Sequence, residues 1–246
     1  MEDTLKSLEN AARLAGTKGL VRFTRFLDPA EAIQASQLAR TFGASFAQFG
    51  GYEGAERLVG CFYADAADKP DDDAYPIVCL HSRFSAKFCS LTHRDLLGAF
   101  MSLGLTRSCI GDMIISEDNV YLFAHSTTAD YIANAMTSAG KAQLHFHALE
   151  HVPAMPEPDG TRFSSVVSSL RLDAVLAAAY RLSRSEAQEA IRAGIVKVNH
   201  IPCERTDALV AENALLSLKG SGRIRLLSVD GMTRKQRIGI TFFRYA

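Results

Sequence analysis

At 246 residues, with 48% hydrophobic and 22% charged residues, the chain has the make-up of a folded protein of two or three small domains and not of a disordered one. No apolar run reaches the ~20 residues that cross a bilayer, and the opening stretch mixes Glu2, Asp3, Lys6, Glu9 and Arg13 with Leu5, Leu8, Ala12 and Leu14. It lacks a secretion signal's basic start and apolar core, so a cytoplasmic location is expected. The net charge of zero hides a split: residues 165–246 hold 13 Lys and Arg against 7 Asp and Glu, a net of +6, and the first 164 carry −6. One end of the chain suits an anionic partner and the rest does not.

The first 73 residues read as an N-terminal α/β domain. An amphipathic helix opens it. Asp28 and Pro29 supply helix-start chemistry for a second helix with Ile33, Leu38 and Ala39 on one side. Residues 58–63 alternate as a strand, and residues 65–73, with Pro70 and three consecutive Asp, read as a connection.

Residues 74–150 alternate between the two periods. Strands are predicted over 76–82, 112–116, 120–124 and 143–149, with helices over 94–103 and 128–139 and Gly140 as the second helix's stop. The order β-α-β-β-α-β predicts a ferredoxin-like, RRM-like middle domain, its sheet covered by helices on one face and open on the other. Residues 151–164, with Pro153, Pro156, Pro158 and Gly160, read as a linker. The fold class expected for the whole chain is therefore α+β.

Residues 165–246 carry the strongest signal. Leu172, Val175, Leu176 and Ala179 give one helix a buried stripe. Ser183 and Glu186 form a capping box that starts a second helix, and Gly194 ends it. Val196-Lys197-Val198 then alternates as a strand. Arg184 falls in the first turn of the second helix, where unpaired backbone N–H groups and the helix dipole favour a phosphate. Its planar, permanently charged fork matches phosphate oxygens. Ser185 adds a hydroxyl, and Gln188 lies one turn along on the same side. Arg171 and Lys197 are expected to line the same basic face.

Arg171-Leu172-Asp173, Leu176, Ser183-Arg184-Ser185, Ala187-Gln188, Ile191, Gly194 and Val196-Lys197-Val198-Asn199 resemble the S4 domain of ribosomal protein S4, tyrosyl-tRNA synthetases and many pseudouridine synthases. That resemblance implies binding of structured RNA through the two helices and the adjoining turn, by Arg171, Arg181, Arg184, Ser185, Gln188, Lys197 and Asn199. The sequence departs in two places. Asn199-His200 stands where the family favours Asn-Gly, and Ala211-Glu212-Asn213-Ala214 replaces a Gly-Asp.

Phe26-Leu27-Asp28-Pro29, Gly50-Gly51-Tyr52, Ala55-Glu56-Arg57, His93-Arg94-Asp95-Leu96-Leu97-Gly98 and Gly111-Asp112 resemble YlmH-type proteins. So do Gly220-x-Gly222-Arg223, Arg234-Lys235 and Ile238, and Arg223 joins the RNA-binding candidates. This second resemblance implies a protein that meets ribosomal RNA and tRNA on the large ribosomal subunit, in quality control of stalled nascent chains. No membrane partner is expected, and the free protein is expected to be a monomer.

Other chemistry is weaker. Cys61, Cys79, Cys89, Cys109 and Cys203 are scattered and form no Cys-x-x-Cys pair, so no disulfide framework or zinc site is expected. His145, His147 and His151 lack an acidic or cysteine partner at metal-ligand spacing. His93-Arg94-Asp95 lacks a kinase's following Asn and Asp-Phe-Gly, and Gly50-Gly51 lacks a phosphate loop's Lys-Ser/Thr. Arg171-Leu172-Asp173 matches a pseudouridine synthase triplet without the catalytic domain that carries it, which leaves Asp173 a helix-start charge. Tyr121 and Phe123 share one face of a strand where an RRM stacks bases; packing under another part of the chain is the favoured reading. The expectation is a non-catalytic RNA-binding protein with no cofactor, no metal and no catalytic residue. The alternatives are an RNA-modifying enzyme with an S4 handle and a ribosome-assembly factor.

Overall fold

The structure is a computed structural model that describes residues 2–156, 160–232 and 236–245. Pro158, Arg234 and Lys235 lie outside the described residues. The chain divides into two compact units, Met1–Pro156 and Glu157–Ala246.

The first unit is built in four layers. Helix α1 (Glu2–Lys18) sets Leu8, Ala12 and Ala15 at helical spacing against Ala35 and Ala39 of α2 (Pro29–Thr41). Small residues on both helices let them approach closely. The stripe expected on α2 is displaced: Ile33 is exposed, and the alanines face inward. Asp28 caps α2 in a capping box with Glu31, and Pro29 occupies its first position. Beneath these helices lies an antiparallel sheet of β1 (Arg22–Leu27), β2 (Ser45–Phe49) and β3 (Leu58–Tyr63) in the order β1-β3-β2. Along β3, Phe62 faces the helices, and Val59, Cys61 and Tyr63 face the other way.

The next two layers are a four-stranded sheet and its helices. The strands are β4 (Ile77–Arg83), β5 (Ile110–Ser116), β6 (Asn119–His125) and, later in the chain, β9 (His147–Ala148). Their order β5-β6-β4-β9, antiparallel throughout, is that of the expected βαββαβ domain. Helices α3 (His93–Ser102) and α4 (Ser126–Ala135) bury Leu96, Phe100, Ala129 and Ile132 against Leu80, Val120, Leu122 and Ala124.

Three expectations need correction here. The face read as open is covered over much of its area by the first sheet: Phe26, Val59, Cys61 and Tyr63 pack on Cys79 and Phe123 in one core. The fit is close at Gly111, where a Cβ would lie 2.5 Å from the Phe26 ring. Helix α4 also ends earlier than expected, at Ala135. Gly140 (φ 57°) instead turns a small hairpin of β7 (Ser138–Ala139) and β8 (Ala142–Gln143), and only two residues of the expected last strand pair with β4.

The second unit is one antiparallel sheet with two helices on one face. Its strands are β10 (Gly160–Val167), β11 (Val196–Val198), β12 (Ile201–Pro202), β13 (Leu215–Leu218), β14 (Gly222–Met232) and β15 (Ile238–Tyr245), in the order β10-β15-β14-β13-β11-β12. Residues 160–164, read as linker from their proline and glycine neighbours, form the first half of β10 because every one of them pairs with β15. Helices α5 (Leu172–Tyr180) and α6 (Arg184–Arg192) bury Leu172, Val175, Leu176, Ala179, Ala187 and Ile191 against Val196, Leu216, Ile224, Leu226 and Phe242. Each of the larger of these side chains, the leucines, valines, isoleucines and phenylalanine, contributes roughly 1.5–3 kcal/mol on burial, so this core fixes the starts of both helices.

Candidate nucleic-acid interface

Three interactions set the start of α5. The N–H of Leu172 donates to the Ala208 carbonyl, and the N–H of Asp173 donates to the Thr206 carbonyl. Arg171, the residue before the helix, bridges Leu209. Asp173 is thereby held with its side chain wholly buried. A buried carboxylate without partners would cost several kcal/mol, and Asp173 has five donors. Arg171 Nε and Nη2 reach it at 3.2 and 3.3 Å, Arg184 Nε and Nη2 at 3.2 Å each, and Gln188 Nε2 at 2.9 Å.

Burial alone would push the Asp173 carboxyl up. The hydrogen bonds from Arg171, Gln188 and Arg184, with the charge of Arg184, outweigh it and hold the group well below the usual carboxylate range. Arg184 and Gln188 stand one turn apart on α6 and converge on the same carboxylate because that spacing puts them on one face. The capping box read from the sequence is present. Ser183 Oγ takes the Glu186 N–H at 3.2 Å, and Glu186 Oε2 takes the Ser183 N–H at 2.7 Å.

Two guanidinium groups on one carboxylate leave a local charge of +1. Each arginine spends two of its five N–H donors on Asp173. The side chains stay 40% exposed at Arg171 and 52% at Arg184, so both forks remain accessible to an anion while their orientation is fixed from below. The sequence alone presents Asp173 only as a helix-start charge. Its signal in the sequence was the pairing of one acid with arginines two and eleven positions away, and it needs the fold to become visible.

The other candidates fall into three places. Arg181 ends α5 in left-handed geometry (φ 57°), exposed beside the clamp's connecting turn. Ser185 is exposed on α6, its hydroxyl 3.5 Å from Glu189 Oε1. Asn199 and His200 both have positive φ, 49° and 69°, as the two-residue turn between β11 and β12 requires. Asn199 Oδ1 accepts the Leu215 N–H at 2.8 Å, so this side chain pins the turn to β13. Asn213 (φ 63°) takes the left-handed position at the second departure from the family pattern.

Lys197 and Arg223 are not brought to the clamp. Lys197 pairs with Ser217, and Ser217 with Arg223, so the three form one row across β11, β13 and β14. Val196, Leu216 and Ile224, their alternating neighbours, face α5 and α6. The row therefore points to the opposite side of the sheet, where the Arg223 guanidinium lies 4.9 Å from the centre of the Tyr245 ring. A one-residue alternation put Lys197 on the outer surface correctly. It did not reveal that the helices and the lysine occupy opposite faces.

Among the described residues no group of three or more His, Cys, Asp or Glu is placed to hold a metal, and no helix is long and apolar enough to cross a membrane.

The family model of the YlmH RNA-binding domain matches residues 70–152, and that of the S4 domain matches residues 170–215. The chain is 36% identical over 228 residues to the ribosome-associated protein quality control protein P2 of Bacillus subtilis (strain 168), covering 91% of this chain and 87% of that protein. Among solved structures, the cell division protein ylmH from Streptococcus pneumoniae shares the fold with a TM-score of 0.50 at 19% identity, over 60% of this chain and 90% of that one.

Proposed function

The chain belongs to the YlmH family of S4-domain proteins, and from that premise we propose that it is a non-catalytic cytoplasmic protein that binds ribosomal RNA and tRNA on the large ribosomal subunit during quality control of stalled nascent chains. The observation that carries this reading is the Asp173 clamp. It presents two oriented, half-exposed guanidinium forks at the starts of two short helices, a shape suited to two neighbouring phosphates of folded RNA. The related Bacillus subtilis protein is named for ribosome-associated quality control, and the same assembly is the proposed partner here.

Arg171 and Arg184 are the primary contacts, with Gln188 positioning them through Asp173. Arg181 and Ser185 are adjoining contacts. Lys197 and Arg223 are peripheral in this scheme, because their row on the far side of the sheet meets RNA only where the RNA wraps the edge, and Asn199 holds the β11–β12 turn in place. When not bound to the ribosome, the protein is a monomer.

Ribosome pelleting followed by RNA crosslinking tests the proposal. The expected result is co-sedimentation with large subunits, enriched when peptidyl-tRNA is retained on them, with crosslinks from residues 171–188 to RNA. Sedimentation with small subunits alone, or crosslinks confined to the first unit, would refute it. Mass analysis of ribosomal RNA after incubation with the protein is expected to show no modification.

A further inference from the structure

The first unit holds a cavity of about 470 Å³ that RNA binding by the clamp does not use. It lies between α1, β1 and the short turn Arg107–Cys109, and its size is that of a small-molecule site. Leu8 and Ala11 of α1 and Phe23 and Leu27 of β1 give it apolar walls, and Ser7 and Ser108 add hydroxyls. Arg25 is the permanent cation of the lining.

A bulge in β1 puts Arg25 there. Phe23 stands opposite Cys61 and Phe26 opposite Val59, so Thr24 and Arg25 together oppose Gly60. Thr24 Oγ1 accepts the Gly60 N–H at 2.8 Å and fixes the bulge. A bulge re-aims the side chain it carries, and Arg25 Nη1 reaches Cys109 Sγ at 3.3 Å. A thiol is a weak acceptor. Among the described residues no carboxylate pairs with Arg25, and its side chain is exposed, so most of the fork is open to an anion.

Two neighbours narrow the anion. Glu31 lines the same cavity without pairing with Arg25, and its Oε2 accepts the Asp28 N–H at 2.8 Å. A second negative charge on the ligand would meet its repulsion. His125 caps α4, its Nδ1 accepting the Thr127 N–H at 3.3 Å. Burial, and then the charge of Arg25, hold its pKa below the ordinary value, so at neutral pH it adds no second cation for a phosphate dianion.

We propose that this cavity binds a small monocarboxylate with an apolar body, the carboxylate on the Arg25 fork and the body against Leu8, Ala11, Phe23 and Leu27. The planar guanidinium matches a carboxylate through two parallel N–H bonds, and the apolar walls favour a body that buries its surface there. This gives the first unit a ligand unrelated to RNA, and the site stands or falls independently of the RNA-binding reading.

The test titrates the full chain with 3-phenylpropionate, its amide and inorganic phosphate, following the His125 ring signals by NMR. The acid is expected to shift them and to bind with a Kd of about 1 mM or tighter, and the amide and phosphate at least about tenfold more weakly. Arg25→Gln, at an exposed position, is expected to weaken the acid about tenfold and to leave the amide and hairpin-RNA binding unchanged. The acid–amide comparison needs no variant, so it decides even if Arg25→Gln fails to fold. Equal affinity for acid and amide, phosphate binding as tight as the acid's, or no shift up to about 10 mM acid overturns the site. Unchanged acid binding in a folded Arg25→Gln, or loss of hairpin binding in it, overturns it as well.

Discussion

Each unit of this protein centres a polar network on an aspartate, and the two networks do opposite things. In the first unit Asp112 accepts from Tyr52 Oη at 2.8 Å and from the backbone N–H groups of Glu56 and Arg57 at 2.7 and 3.1 Å. Arg57 beside it turns inward, donating to the carbonyls of Ile110 and Arg107. In the second unit Asp173 accepts from two arginines whose remaining donors face outward. The carboxylates respond accordingly. Burial outweighs the hydrogen bonds at Asp112 and raises its pKa, whereas the arginine and glutamine bonds outweigh burial at Asp173 and lower it. The Asp112 network is internal scaffolding, whereas the cations held by Asp173 keep N–H donors exposed.

Replacing each acid by its amide separates the two roles most sharply. Asp173→Asn removes the charge that orients both forks and is expected to destabilise the second unit by about 2–4 kcal/mol and to lower RNA affinity at least tenfold. Asp112→Asn is expected to cost about 1–3 kcal/mol in the first unit and to leave hairpin-RNA affinity unchanged. Chemical denaturation with an RNA titration reads both quantities. Equal loss of RNA affinity in the two variants would erase the distinction.

The next effect is on fork geometry at constant charge. Arg184→Lys and Arg171→Lys keep the cation but cannot bond Asp173 and a phosphate through one planar group. Each is expected to weaken hairpin-RNA binding about fivefold, measured by fluorescence anisotropy. Full retention of affinity by both lysine variants would reduce the clamp to diffuse charge.

The pH response should run in opposite directions. Asp173, with its folded pKa lowered, stabilises the fold fully above its unfolded value of about 3.9, and this is lost as the pH falls through that value toward the folded one. Asp112, with its folded pKa raised, penalises the fold as the pH rises. Melting at about pH 5.5 and about pH 3.5 should therefore show the wild type losing its advantage over Asp173→Asn on acidification and gaining on Asp112→Asn. The smallest effects are expected on the far face of the second sheet, where Lys197→Ala and Arg223→Ala should each change affinity by less than about threefold.

Local chemistry in the sequence made much of this fold legible. The capping boxes at Asp28 and Ser183 and the Asn199 turn sit where their residue types demand. The βαββαβ order followed from alternating periods. What stayed hidden depended on partners distant in the chain. Tyr121 and Phe123 share a strand face, but only the packing of the first sheet and of Tyr52 decides that Phe123 is fully sealed and Tyr121 half-buried. Gly140 has the chemistry of a helix stop and of a hairpin turn alike, and the pairing of residues 138–139 with 142–143 makes it the latter. The site residues near one another in sequence, Arg184 and Gln188, came together as expected. Lys197 was separated from them because a strand presents two faces and the helices cover one.

The account stands most directly on the salt dependence of binding between the full chain and a hairpin RNA, compared with Arg184→Gln. A fork that meets a phosphate releases counterions, so the variant's plot of log affinity against log salt should be shallower by about 0.9, the contribution of one phosphate contact, and should lie below the wild-type line at low salt. Two superimposed lines would contradict it, because Arg184 would then hold Asp173 and nothing else.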